Sequence, residues 1–237
     1  MKPLEITVQA AGTEEELCSN IRSALARNLP ELTLAPIKHD GNMVLVASGW
    51  SMPDYIDEIK AHRKAGRPIV AIKATHDFLV ENGVEPDLRI NHDPRDRTSG
   101  IKHLNDHTTY MPASRCPPTT FDYLNGKKVL LWHSWAPGPE MEAIGPGKLA
   151  IGGGTTSGLR AVNIGYILGY RNFTMYGYDS CNSPDGRKKF NCNMAMAQQA
   201  NEFQKLFEVM PDLNLNVKGP GLIAEIMRMR DERAEAA

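Results

Sequence analysis

The sequence predicts an α/β domain of Rossmann-like type, an open and mostly parallel sheet with helices on both faces. Two observations carry this prediction. Short apolar runs such as residues 43–47 and 69–72 alternate with longer helix-like segments, which is the pattern of parallel strands buried on both faces. In addition, residues 150–176 read as a strand, a glycine-rich turn, a helix and a strand, which is the order of a βαβ unit.

These elements follow one another along the whole chain, so we expect a single domain over residues 1–237. A capping box at Thr13 and Glu16 predicts a lead-in helix over residues 13–28. A terminal helix is expected from about residue 222. Residues 95–125 are polar and contain proline, which predicts an irregular loop or an insertion. The predicted strands are residues 43–47, 69–72, 88–91, 129–132 and 173–176, with 213–217 as a further candidate.

Charge and composition argue against several classes of function. The formal net charge is −1 and 41% of the residues are apolar, without the excess of Lys and Arg that nucleic acid or an anionic membrane requires. The chain starts without the apolar core of a signal peptide and contains no run of about 18 apolar residues. We therefore expect a cytoplasmic protein with neither nucleic acid nor membrane as a partner. The four cysteines are scattered without a CxxC pair, which predicts free thiols.

Two turns at predicted strand ends are candidates for phosphate binding, because ligands of parallel sheets collect where strands end and helices begin. In the first turn, Gly49 allows a tight bend, and Ser48 or Ser51 can donate to a phosphate. A plain helix cap explains this segment equally well. The second turn, residues 152–158, combines three consecutive glycines with hydroxyl side chains and is not a Walker A loop. Its predicted nucleotide-binding residues are Gly153, Gly154, Thr155, Thr156 and Ser157.

The alternative for the second turn is a flexible loop, with tight helix packing at Gly158 and Gly165. Aspartates at the strand ends predict a Mg²⁺ site, because carboxylates near phosphates commonly hold this ion. The candidate metal ligands are Asp87, Asp93 and Asp179. Each can instead be a turn former or a helix cap. His92 adjoins Asp93, and we expect this pair to supply catalytic acid or base groups.

Three tryptophans, Trp50, Trp132 and Trp135, lie near predicted strand ends and can stack on a flat ring or simply pack in the core. A small-molecule nucleotide is the expected ligand. The sequence leaves the oligomeric state open, with a homo-oligomer among the alternatives.

The order of these strand ends over residues 43–179 resembles the 6-hydroxymethylpterin diphosphokinase MptE-like family. The resemblance implies transfer of diphosphate from ATP to a pterin alcohol with Mg²⁺. It places Ser48, Gly49 and Ser51 at a phosphate-side turn, with Asp87 and Asp93 near the metal. The chain departs from the family at residues 73–76, where an acidic element of that pattern is missing.

Residues 156–179 are also similar to bacterial sialyltransferases that use a cytidine-nucleotide sugar. Those enzymes have a catalytic histidine downstream of the aspartate, whereas this chain has no histidine after His133. The resemblances therefore leave three hypotheses. The first is a diphosphokinase-like transferase, the second is a nucleotide-sugar glycosyltransferase, and the third is a non-catalytic nucleotide-binding or assembly protein.

Overall fold

The computed structural model describes residues 11–182 and 192–235, so both ends of the predicted domain lie outside the described residues. Six strands form one sheet in the order β4-β3-β2-β1-β7-β8, and every neighbouring pair is parallel. Strands β5 and β6 form a second, two-stranded parallel sheet. The strands are β1 His39–Val46, β2 Ile69–Ile72, β3 Leu88–Asn91, β4 Thr109–Pro112, β5 His133–Ser134, β6 Ala150–Ile151, β7 Tyr170–Tyr176 and β8 Asn214–Val217. The predicted Rossmann-like fold class is confirmed.

Helices connect most of the strands. The lead-in helix begins with the predicted capping box, because Thr13 and Glu16 exchange hydrogen bonds of 2.8 and 3.2 Å. It ends before Asn28, whose φ of +51° is incompatible with a continuing helix. The helices are α1 Glu14–Leu25, α2 Ile56–Lys64, α3 Thr75–Glu81, α4 Pro118–Tyr123, α5 Pro139–Ile144, α6 Ser157–Ile167, α7 Met194–Val209 and α8 Leu222–Glu235.

Alternation along β1 explains why helices cover both faces of the sheet. Met43 and Leu45 pack into one buried cluster together with Leu159 of α6. Val44 and Val46 point to the other face, into a cluster with side chains of α2 and α3. A continuous apolar run thus serves two cores, as expected for a parallel strand between two helical layers.

The segment predicted to be irregular, residues 95–125, contains the edge strand β4 and helix α4. The signal is weak because β4 has four residues and ends in Pro112. Conversely, the predicted strand at residues 129–132 forms only isolated bridges, such as the pair Tyr110 and Val129. Helix α2 is preceded by a 3₁₀ turn, Met52–Tyr55. Within the described residues, no helix is both long enough and apolar enough to cross a bilayer.

Candidate functional site

A cavity of about 620 Å³ opens where the strands end. Its wall combines residues that follow β2, β3, β4, β5 and β6 with side chains from α5, α6 and α7. This is the edge of a parallel sheet where ligands of such folds bind. The volume lies in the range of small-molecule sites, about 300–1,000 Å³. Among the described residues, four cationic and three acidic side chains line it: Lys73, Arg95, Arg115 and Arg160, with Asp93, Glu140 and Glu202.

The second glycine turn forms one side of this cavity, as the sequence predicts for a ligand-facing loop. Gly153 and Gly154 have φ values of +88° and +105°, which only glycine adopts easily. A Cβ atom on Gly153 would overlap the side chain of Asn163. The glycines are therefore needed for the shape of the turn itself.

Helix α6 begins at this turn with its N-terminus in the cavity wall. Thr156 is the N-cap, and its hydroxyl accepts a hydrogen bond of 3.3 Å from the backbone N–H of Leu159. Ser157 is only 5% exposed, and its Oγ has no hydrogen-bond partner among the described residues. A buried hydroxyl without a partner costs free energy, which a ligand oxygen would recover. The first turn of α6 therefore offers both its positive dipole end and an unused donor.

The glycine turn already holds an anionic group of the chain. Oε2 of Glu202, on α7, accepts hydrogen bonds from the backbone N–H of Thr155 at 2.9 Å and from its hydroxyl at 3.0 Å. Gln198 donates to the other carboxylate oxygen at 2.9 Å. The donors of the turn are thus arranged for an anion, and a carboxylate of the protein occupies part of that arrangement.

Arg160 holds the glycine turn in place through hydrogen bonds to backbone carbonyls. Its guanidinium donates to the carbonyl of Gly154 at 2.7 Å, to that of Trp135 at 3.3 Å, and to that of Ile151. One side chain therefore ties together the ends of β5 and β6 and the glycine turn. Burial lowers the pKa of Arg160 to about 10, so the group stays charged at neutral pH.

The cations on the opposite side of the cavity surround Asp93. Its carboxylate accepts hydrogen bonds from Arg95 at 2.8 and 2.9 Å and lies 3.3 Å from Nζ of Lys73. Although burial opposes it, these hydrogen bonds and the charge of Lys73 hold the pKa of Asp93 well below its usual range. Lys73 itself has a φ of +58°, an uncommon conformation that places its side chain at this site. Asp93 therefore organises the cations of the cavity.

His92 lies deep in the same wall. Its Nε2 is 2.9 Å from Oγ of Ser134 and 3.4 Å from Nη1 of Arg115. The ring stacks on Trp132, with centroids 5.4 Å apart. Burial, together with the positive charges of Arg115, Arg160 and Lys73, lowers the pKa of His92 well below its usual value. His92 is therefore neutral at physiological pH, and Nε2, facing a guanidinium that can only donate, is an acceptor.

Arg115 pairs with Glu140 at 3.4 Å, and both side chains are largely buried. Nε of Arg115 and Oε2 of Glu140 have no hydrogen-bond partner in the part of the chain that the structure describes. Two further polar atoms of the cavity region are thus left for a ligand or water.

The first predicted phosphate turn has a different environment. Both carboxylate oxygens of Asp179 accept hydrogen bonds from Ser51, from its N–H at 2.9 Å and its hydroxyl at 2.6 Å. A Cβ on Gly49 would overlap Asp179 and the backbone of Gly177. The described residues that line the cavity include none of this turn, so Ser48, Gly49 and Ser51 all lie outside the cavity lining. The turn is a structural joint between the ends of β1 and β7.

The three aspartates predicted to bind Mg²⁺ do not come together. Asp87 precedes β3, at the opposite edge of the sheet, where it pairs with Arg63 at 2.9 Å. Asp93 and Asp179 follow β3 and β7, which are separated by two strands, or about 14 Å at the usual strand spacing. Among the described residues, no group of three potential ligands is placed to hold a metal ion. The predicted ligand set therefore does not fit one cation, and Mg²⁺ binding stays a prediction.

Several cavity residues carry no local sequence signal. Lys73 follows a strand end and can be noticed there, but Arg115, Glu140, Arg160 and Glu202 lie in helices or irregular segments. A lone charged residue in such a segment is ordinarily a surface residue. The signal that distinguishes these residues is burial of a charge, which only the folded chain shows.

The fold and the cavity define a Rossmann-like α/β protein with a cavity lined by cationic side chains at the ends of its strands. The family described as 6-hydroxymethylpterin diphosphokinase MptE-like matches residues 15–185. The chain therefore belongs to this family, and the resemblance identified from the sequence is confirmed. A comparison with curated proteins finds no match.

A solved structure, that of the MAf glycosyltransferase from Magnetospirillum magneticum AMB-1, superimposes with a TM-score of 0.68 at 13% sequence identity. The match covers 95% of this chain and 42% of that chain. The present chain thus spans less than half the length of the solved protein. At this identity the similarity shows a shared fold.

Proposed function

We propose that this protein is a nucleotide-dependent transferase that binds the phosphates of its donor in the cavity. The observation that carries the proposal is the unpartnered hydroxyl of Ser157 at the N-terminus of α6, in the same cavity as Lys73, Arg95 and Arg115. Helix N-termini and clustered cations both favour phosphate groups. The glycine turn supports the same conclusion, because it already binds the carboxylate of Glu202.

In this proposal the chain's own cations neutralise the charge that develops on the departing phosphate oxygens. Ser157 and the first N–H groups of α6 orient the donor. His92 is assigned the role of the general base that removes a proton from the acceptor substrate. Burial and the nearby cations lower its pKa, and the negative charge of a bound nucleotide would raise that pKa and make His92 a stronger base. Asp93 positions Lys73 and Arg95.

Diphosphate transfer from ATP is the first candidate reaction, because the family is named for a diphosphokinase. A nucleotide-sugar donor is the second. It is favoured by the ion pairs of Asp93 with Lys73 and Arg95, because a metal-dependent kinase needs carboxylates that are free to hold its metal ions. The glycosyltransferase with the same fold is consistent with this alternative.

Thermal-shift measurements with ATP, CMP and UDP-sugars, each with and without Mg²⁺, test the proposal. A ligand at 100 times its Kd stabilises the native state by about 2.7 kcal/mol. A response to ATP that needs Mg²⁺ supports diphosphate transfer, and a metal-independent response to cytidine or uridine ligands supports sugar transfer. Absence of any response would contradict the proposed function and favour the assembly protein of the third hypothesis.

A matched pair of variants locates the site. Arg95→Gln removes an exposed cavity cation, whereas Arg22→Gln removes an exposed cation of α1, outside the cavity. We expect only Arg95→Gln to weaken nucleotide binding. Equal affinities for the two variants would mean that the phosphates bind elsewhere.

A further inference from the structure

An exposed tryptophan lines the cavity in addition to its cationic side chains. Trp135 directly follows β5 and lines the cavity, and 51% of its surface is exposed. The other two tryptophans are placed differently. Trp132 is 1% exposed, donates from Nε1 to the carbonyl of Met111 and stacks on His92. Trp50 belongs to the first turn and is not among the described residues that line the cavity.

The backbone of Trp135 is fixed on both sides. Its N–H donates to the carbonyl of Ile151 at 2.9 Å, and its own carbonyl accepts from Arg160 at 3.3 Å. The same guanidinium bonds to the carbonyl of Gly154 in the glycine turn. Trp135 therefore lies on a segment held by hydrogen bonds, and the Arg160 guanidinium connects this segment to the turn that would hold the phosphates.

We propose that Trp135 is a stacking platform for the planar heteroaromatic ring of a ligand whose anionic part binds at α6 and the cavity cations. This inference rests on the proposed function. An exposed indole beside phosphate-binding groups matches a molecule that carries both a flat ring and phosphates. Two sources share this chemistry, the nucleobase of the donor and the ring of a heteroaromatic acceptor. Trp135 is thus the residue that selects ligands with a ring over simple phosphates.

The test compares Trp135→Ala and Trp135→Phe with the unmodified protein by titration calorimetry. The probes are ATP, CMP, 6-hydroxymethylpterin and inorganic tripolyphosphate. Removal of an aromatic platform weakens a stacked base by about tenfold or more. We expect Trp135→Ala to lose at least this factor for a ring-bearing probe and to bind tripolyphosphate within about twofold of the unmodified protein, because stacking contributes nothing to a probe without a ring. Trp135→Phe should retain most of the affinity.

The probe that loses affinity identifies the source, ATP or CMP for the nucleobase and the pterin for the acceptor. The exposed side chain makes both variants compatible with folding, which unchanged melting temperatures verify. Val209→Ala, which trims an exposed apolar side chain of α7 outside the cavity, is the control. Tryptophan fluorescence adds an independent readout, because quenching by a stacked ring should disappear in Trp135→Phe.

Failure of this inference and failure of the proposed function look different. If the unmodified protein binds the ring-bearing probes and Trp135→Ala binds them equally well, the platform is refuted while the phosphate site stands. If the unmodified protein binds neither the nucleotides nor tripolyphosphate, the proposed function fails and the platform with it.

Discussion

The carboxylate of Glu202 accepts two hydrogen bonds from Thr155, one from the backbone N–H and one from the hydroxyl, at 2.9 and 3.0 Å. The two residues are 47 positions apart in the sequence. A side chain of α7 thus occupies donors of the glycine turn that a phosphate would use. A phosphate-bearing substrate must therefore displace this carboxylate or bind beside its negative charge.

Glu202→Gln should therefore strengthen the binding of inorganic diphosphate. The amide keeps the size of the side chain but removes a negative charge next to the phosphate site, and we expect about tenfold tighter binding, equivalent to about 1.4 kcal/mol. Titration calorimetry at low salt measures the effect. Glu208→Gln makes the same change at an exposed position of α7 and should leave the affinity as it is. Weaker binding by Glu202→Gln would show that Glu202 holds the turn in its binding shape.

Substitutions at two adjacent glycines test which of them the conformation of the turn requires. Gly153→Ala should lower the free energy of unfolding by about 1–3 kcal/mol, because its φ is +88° and a Cβ would overlap Asn163. At Gly152 a Cβ meets nothing within 4 Å. Gly152→Ala should accordingly change stability by less than about 0.5 kcal/mol. Urea denaturation of both variants checks this, and equal losses would contradict the structural reason given for Gly153.

Asp179→Asn distinguishes a structural joint from a metal ligand. The carboxylate is 2% exposed and both of its oxygens accept from Ser51. The amide loses the negative charge and one acceptor oxygen, and the Ser51 hydroxyl must turn from donating to accepting. We expect a loss of about 2–3 kcal/mol in the free energy of unfolding. Nucleotide affinity of the folded variant should be the same as that of the unmodified protein with Mg²⁺ and with EDTA. A loss of affinity seen only with Mg²⁺ would instead make Asp179 a metal ligand.

Protonation of His92 should destabilise the protein at mildly acidic pH. In the unfolded chain its pKa is about 6.5, whereas burial and nearby cations keep the folded value well below this. Between the two values the unfolded state binds more protons, so stability is full above about pH 6.5 and falls as the pH drops below it. The slope from one such group is at most about 1.4 kcal/mol per pH unit.

His92→Asn should flatten this pH dependence. Urea denaturation at pH 7.5 and pH 5.5 gives the slope for both proteins. His62, His76 and His133, whose pKa values are also lowered by burial, remain in both and supply a common background. An unchanged slope in His92→Asn would mean that the ring of His92 is protonated as easily in the folded protein as in the unfolded chain.

The glycine turn was the part of the site that the sequence located best. Its glycines and hydroxyls are consecutive in the chain, so their joint position between a strand and α6 follows from local pattern alone. The first turn looked similar, yet its donors are taken by Asp179, which is 128 residues away. Local sequence does not reveal that partner. The same limit applies to Asp87, which precedes β3 and therefore lies at the opposite edge of the sheet.

By itself, the sequence determined the family, the parallel α/β fold and the βαβ unit with its glycine turn. Apolar periodicity and turn residues are local properties, and they are enough to specify which elements form. The tertiary structure decided which strand ends share a cavity, because the order β4-β3-β2-β1-β7-β8 separates Asp93 from Asp179 and brings Arg115 toward His92. It also decided which charges are buried. Charge, burial and hydrogen-bond partners depend on residues distant in the chain, so the chemistry of this site emerges only when the chain folds.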